Sequence, residues 1–158
     1  MISFRNASPE DLDTLSRLYS PKTDKQVNQW KELQEKRLND SLNNTDREFI
    51  VILLGGEIVG HVFLNYGKPP YPQMSALVVR ENLRSKGIGT EAIKEVERRV
   101  KEKGFNKVGL SVNPDNNPRA KALYEKLGYK DTGKEKYLEY VDPYDKAEDW
   151  VIDLVKEI

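Results

Sequence analysis

Apolar and polar positions alternate along this chain in two rhythms. "EFIVILL" (48–54) and "EIVGHVFLNY" (57–66) flank Gly55 and Gly56, which predicts a strand–turn–strand hairpin. "ISFRNA" (2–7), "QMSALVV" (73–79) and "KVGLSV" (107–112) read as further strands. Ile88, Ala92, Val96 and Val100 fall four apart, with Ile93 beside them. That spacing predicts a helix from about Gly87 to Lys103 with one buried face. A partial stripe of Val27, Trp30, Leu38 and Leu42 predicts another over roughly 23–42.

Local signals punctuate these elements. Ser8 stands as an N-cap with Pro9 at the first helical position and Asp11 at the third, so a helix runs from there to about Tyr19. Asn117 and Pro118 repeat the signal, and that helix closes at Gly128 and Tyr129. Gly104 followed by Phe105 reads as a left-handed C-cap. "GKPPYP" (67–72) is a stiff loop, and extended segments at about 129–140 and 149–157 close the chain. No repeat, low-complexity tract or linker divides it. The expectation is one α+β domain over 1–158, with a mixed, mostly antiparallel sheet of about seven strands and about four helices.

Composition narrows the function. Lys plus Arg number 26 and Asp plus Glu number 26, so the basic excess of a dedicated nucleic-acid binder is missing. With no Cys there is no disulfide, thiolate zinc site or Cys nucleophile. A single His, His61, argues against a His-cluster metal site or a Ser-His-Asp triad, and no metal is expected. The start "MISFRNASPED" has no signal pattern, and the longest apolar run, "FIVILL", is too short to cross a bilayer. A cytoplasmic protein is expected, with neither nucleic acid nor membrane as partner.

The stretch "LRSKGIGTEA" (83–92) carries the candidate chemistry. A strand ends at Val79, a turn carries Arg84 and Lys86, and two glycines open a helix. Unpaired N–H groups and the positive end of the helix dipole meet there, and glycines let a ligand approach the backbone. The product is an anion cradle suited to phosphate or pyrophosphate. An ordinary tight turn with solvated charges reads the same residues without a ligand. Written G-x-G-x-x-A, the stretch is a dinucleotide fingerprint. That reading wants an acidic residue at the end of the next strand, and "KVGLSV" ends in Val112 and Asn113.

Written R-x-x-G-x-G, with Arg84, Gly87 and Gly89, the stretch finds company downstream. Leu77, Val78 and Val79 end the preceding strand. Asn117 and Ala120 match N-x-x-A, and "LYEKLGY" contains Tyr124. Together these pieces, over about 77–130, resemble the GNAT superfamily of acetyl-CoA-dependent N-acetyltransferases. The resemblance implies splayed central strands. It implies that the CoA pyrophosphate sits on the backbone of Arg84, Ser85, Lys86, Gly87, Ile88, Gly89 and Thr90. The pantetheine arm would lie along Leu77, Val78 and Val79, where a backbone N–H can polarise the thioester carbonyl. Asn117 would contact the CoA arm, and a plain N-cap explains it equally well. Tyr124 would give a proton to the departing thiolate, a task suited to a phenol with a pKa of about 10. A core aromatic on an amphipathic helix is the alternative for Tyr124.

The general base is less legible. Many members of that family carry Glu on one of the two splayed strands. Here the corresponding position holds Ser111, and the preceding strand offers Gln73 and Ser75. Ser groups could order water toward a distant carboxylate, and His61 titrates in the right range, although a lone His in a strand is more often structural. The resemblance places the acceptor between the first two helices and the last hairpin. There, Tyr137, Tyr140, Tyr144 and Trp150 mix with Glu135, Glu139, Asp142 and Asp145. Carboxylates and aromatic faces suit a cationic amine, while the interspersed Lys134, Lys136 and Lys146 suit a solvated loop. The acceptor is a small-molecule or protein amine, transfer is direct, and the oligomeric state stays open between monomer and homodimer. A non-catalytic acyl-CoA-binding or sensor module on the same fold is the alternative function.

Overall fold

The computed structural model describes residues 1–115, 117–141 and 146–158, with the side chains of 138–149 outside that description. In chain order come β1 (Ile2–Asn6), α1 (Leu12–Arg17), α2 (Asp24–Asn43), β2 (Arg47–Leu54), β3 (Glu57–Asn65) and β4 (Gln73–Val79). There follow α3 (Ile88–Glu102), β5 (Lys107–Val112), α4 (Pro118–Lys126), β6 (Lys130–Val141) and β7 (Lys146–Glu157). The seven strands make one sheet in the order β1-β2-β3-β4-β5-β7-β6. Every neighbouring pair is antiparallel except β4 and β5. The expected α+β fold with a mixed sheet is what forms.

The sheet is covered on both faces, which is why the hairpin strands read as unbroken apolar runs. On β2, Phe49 and Val51 pack with Leu12, Leu15 and Leu38 of the first two helices. The alternate residues Ile50 and Ile52 face α3, where Ile93, Val96 and Val100 meet Ile50 and Ile88 and Ala92 meet Ile52. The five buried side chains of α3 stabilise by roughly 1.5–3 kcal/mol for each large one.

Two sequence expectations are refined. The helix starting at Pro9 begins as a 3-10 turn over Pro9–Asp11 before α1. The Asp11 carboxylate is tied to the Ser8 N–H at 2.8 Å and to the Arg5 guanidinium at 2.7 and 2.9 Å, which tightens this first turn. The stripe of α2 is Trp30, Gln34 and Leu38, four apart and all buried, while Leu42 is exposed.

The parallel pair β4–β5 positions the candidate site. Its strands meet at one register position, Gln73 opposite Gly109. On the other side of β4, the register against β3 slips between His61, opposite Val78, and Phe63, opposite Ser75. Three steps on β4 match two on β3, and the extra residue shows at Ala76, whose φ is +53°. A bulge of this kind bends its strand. Beyond it Leu77–Val79 have no partner on β5, and β5 after Gly109 pairs only with β7. A gap therefore opens in the middle of the sheet.

Candidate active site

Strand geometry fixes which groups face that gap. The Val78 carbonyl lies against Gly60 of β3, so close that any side chain at Gly60 would strike it. The Arg80 N–H donates to the Val59 carbonyl at 2.8 Å. Because successive peptides point to opposite edges of a strand, the Leu77 carbonyl and the Val79 N–H turn toward the gap. The Val79 carbonyl turns the same way and accepts from Arg84 Nε at 3.1 Å.

The gap runs into the loop before α3. Ser85 has φ +63° and Gly87 has φ +84°, a left-handed conformation that glycine adopts without a Cβ penalty. Gly87 caps α3, and the first helical bond of the turn runs from the Glu91 N–H to the Gly87 carbonyl at 3.1 Å. The N–H groups of Ile88, Gly89 and Thr90 thus precede any backbone acceptor in the helix. A Cβ placed on Gly87 or Gly89 would meet nothing within 4 Å, so the space above the helix start is open. Ile88 differs from its neighbours. Its side chain is buried against Ile52, Val59 and Ala92, leaving only its backbone to the loop. Arg84 and Lys86 are exposed, and the Ser85 hydroxyl accepts a hydrogen bond from Arg119 of α4.

Asn117 is an N-cap, with its side-chain oxygen accepting from the Ala120 N–H at 3.2 Å. Tyr124, about two turns further along α4, packs against the core cluster that also takes Leu77. Its ring meets Tyr129 edge-on at 6.0 Å. The two phenols differ in their hydroxyls. Tyr129 donates to Glu97 at 3.0 Å, whereas the Tyr124 hydroxyl makes no hydrogen bond with the described residues. Burial pushes the Tyr124 pKa up and keeps the phenol protonated.

Across the gap on β5, Ser111 is not alone. Its hydroxyl donates to Asp153 Oδ1 of β7 at 2.7 Å, and Lys136 of β6 reaches the same oxygen at 3.5 Å. Tyr71 and Gln73 cover the neighbouring Gly109, where a Cβ would collide with both. Sequence reasoning missed Asp153. The one signal was a carboxylate flanked by apolar residues in "WVIDLV", and only the register of β5 against β7 places it opposite Ser111.

His61 is fully buried on the face of α1 and α2. Its Nε2 accepts from the Tyr19 hydroxyl at 2.5 Å and lies 3.3 Å from Gln34 Nε2. Burial, aided by Arg37, pushes its pKa down to about 3, so it is neutral and sealed from solvent at pH 7. That removes it as the base.

Residues 12–129 match the acetyltransferase (GNAT) family. The chain belongs to the GNAT acetyltransferase family. It is therefore an acyltransferase by family. Solved structures share its fold. The PaiA N-acetyltransferase from Thermoplasma acidophilum, in complex with coenzyme A, is 20% identical with a TM-score of 0.72, covering 100% of this chain and 99% of that one. A GNAT family acetyltransferase from Elizabethkingia anophelis with acetyl-CoA bound is 19% identical, with a TM-score of 0.66, over 99% and 98%. The ribosomal-protein-S18-alanine N-acetyltransferase from Escherichia coli is 13% identical, with a TM-score of 0.72, over 100% and 94%.

Membership of the GNAT family sets aside the dinucleotide reading of the glycine loop. The family match spans β4, the loop, β5 and α4, and ends before β7. Asp153 thus lies outside it. Of the hairpin expected to hold the acceptor, Tyr140, Tyr144, Glu139, Asp142, Asp145 and Lys146 lie outside the described side chains. Tyr137 and Trp150 are opposite each other in register, with ring centroids 5.5 Å apart, and both are exposed. No helix among the described residues is long and apolar enough to cross a membrane.

Proposed function

We propose that this GNAT acetyltransferase moves an acetyl group from acetyl-CoA to a primary amine by direct attack. The observation that carries the reading is the gap between β4 and β5, which runs into the open N-terminus of α3. The residues fit the substrate. Backbone N–H groups of Ile88, Gly89 and Thr90, beside Arg84 and Lys86, suit a pyrophosphate. The free Leu77 carbonyl and Val79 N–H suit the two amides of a pantetheine arm, which would add to β4 as an extra strand. The Asn117 side-chain amide keeps its N–H donors after capping and suits the same arm.

Acetyl-CoA supplies an activated thioester; the protein supplies orientation and protons. An alkyl amine of pKa about 10 arrives as its ammonium form and must lose a proton. Before attack, Ser111 takes that proton while passing its own to Asp153, which frees the lone pair of the nitrogen. Tyr124 gives its proton to the sulfur as the carbon–sulfur bond breaks. The second proton lost by the nitrogen restores the phenol through solvent. The balance is one amide, one thiol, and one proton left on Asp153 for release.

Thermal unfolding with saturating acetyl-CoA, against NADH and ATP, tests the binding step. Ligand at a hundredfold excess over Kd stabilises by about 2.7 kcal/mol, a rise of roughly 5–10 °C for a domain of this size. A panel of amines screened for release of free CoA then separates a transferase from a non-catalytic acyl-CoA sensor. Binding without thiol release from any amine would favour the sensor.

A further inference from the structure

A chain of polar side chains crosses the face of the sheet under α1 and α2 and ends in a cation. Gln34 and His61 are fully buried, a costly place for polar groups unless each is paired. The His61 Nε2 receives both the Tyr19 O–H and a Gln34 N–H, so it is the acceptor nitrogen of a neutral ring. With its proton committed to His61, the Tyr19 oxygen accepts from Arg37 Nη1 at 3.4 Å. With its amide N–H committed likewise, Gln34 offers its oxygen to the same Nη1 at 3.0 Å. Each buried group thus fixes the next, and the last is a half-buried guanidinium. No carboxylate among the described residues pairs with it. Nη1 is occupied, while Nη2 and Nε make no hydrogen bond with the described residues.

The position matters as much as the charge. His61 stands opposite Val78 in register, beside the bulge at Ala76 where the gap begins. Tyr19 and Ala76 flank the same core cluster. The chain therefore leads from the bulge outward to Arg37 on α2. A rigidly held guanidinium with two free donors in a plane matches a carboxylate, which it can bind through two parallel hydrogen bonds.

We propose that Arg37, held by Tyr19 and Gln34, binds a carboxylate on the acceptor, so that the amine acetylated is an amino-acid-like molecule or a peptide end rather than a plain polyamine. This rests on the amine-acetylation reading above and adds the acceptor's charge to it. Arg37 is a binding residue here, and Tyr19, Gln34 and His61 position it.

The test compares amines that differ only in the carboxylate: L-lysine with 1,5-diaminopentane, and L-phenylalanine with phenethylamine. Each is titrated calorimetrically into the protein with and without CoA, then assayed for release of CoA from acetyl-CoA. The carboxylated member of at least one pair is expected to bind roughly ten- to a hundredfold more tightly, with the difference in KM rather than kcat. In Arg37→Gln that ratio collapses toward one. Arg37→Lys, which keeps the charge without the fork, restores only part of it. Circular dichroism confirms that each variant is folded, and Arg37→Lys keeps the test alive if Arg37→Gln is not. Equal behaviour within every pair, including no binding by either member, overturns the proposal, as does a ratio unchanged in both variants. Loss of the acetylation reading would show differently, as no CoA released from any amine, while the calorimetric preference is read without turnover.

Discussion

Ser111 on β5 and Asp153 on β7 stand opposite each other in register, joined by a 2.7 Å hydrogen bond at the edge of the gap in the sheet. The strand that lines the cleft has no acid of its own, and the neighbouring strand supplies one through a hydroxyl. Asp153→Asn and Ser111→Ala are expected to lower kcat/KM by about a hundredfold near pH 7, in the range of a lost general base. The deficit should shrink as pH rises toward the acceptor's pKa of about 10, because solvent then provides free amine. A pH–rate profile of parent and variants checks this; a deficit constant with pH would assign the pair a structural role.

Tyr124→Phe should separate chemistry from folding. The Tyr124 hydroxyl makes no hydrogen bond with the described residues, so its removal leaves the ring packing intact. The thermal midpoint and the KM for acetyl-CoA should barely move, while kcat falls by about a hundredfold. Tyr129→Phe, which breaks the bond to Glu97, should do the reverse: a midpoint lowered by a few degrees, from about 1–3 kcal/mol, with kcat little changed.

The two loop glycines make opposite demands. Gly87 has φ +84°, so Gly87→Ala strains the backbone by roughly 1–2 kcal/mol and should lower the midpoint by about 2–8 °C. Gly89 has no left-handed φ and its Cβ would enter open space. Gly89→Ala should therefore leave the midpoint unchanged or higher, since alanine favours helix. Its methyl would stand at the proposed pyrophosphate site, so the Kd for acetyl-CoA should rise by roughly tenfold. Melting curves with and without acetyl-CoA read both effects.

His61 should impose an acid limit on stability. Its folded pKa of about 3 lies below the unfolded value of about 6.5, so the unfolded chain binds the extra proton between those limits. Its contribution is full above pH 6.5 and is lost as pH falls toward 3, at up to about 1.4 kcal/mol per pH unit. Denaturant titrations from pH 7 to 4 should show this slope in the parent and a shallower one in His61→Asn. Asp11 adds a second loss at lower pH. Its bond to Arg5 holds its pKa below the usual carboxylate value, so its contribution persists until pH falls below about 4.

The local code was legible wherever a local rule wrote it. The period of Ile88, Ala92, Val96 and Val100 marked α3, Gly55-Gly56 marked the hairpin, and Asn117-Pro118 marked the start of α4. Arg84, Gly87 and Gly89 marked the turn and the open start of α3 as a candidate anion cradle, because a helix start and glycine conformation are properties of a few consecutive residues.

Local signals in the chain thus carried the element order, the family and the candidate anion-binding loop. Which groups come together across the sheet was settled by folding. Asp153 lies 42 residues beyond Ser111 and reaches it through strand register, and His61 meets Tyr19 across the same separation. Arg37 has no acid within ion-pair reach among the described residues, a fact visible only once every neighbour is in place. The gap between β4 and β5 begins beside the extra residue at Ala76, where the register against β3 shifts. Periodicity and capping act over a few bonds and leave their mark in sequence. Register, burial and unpaired charge are relations between distant segments, and the chain settles them only by folding.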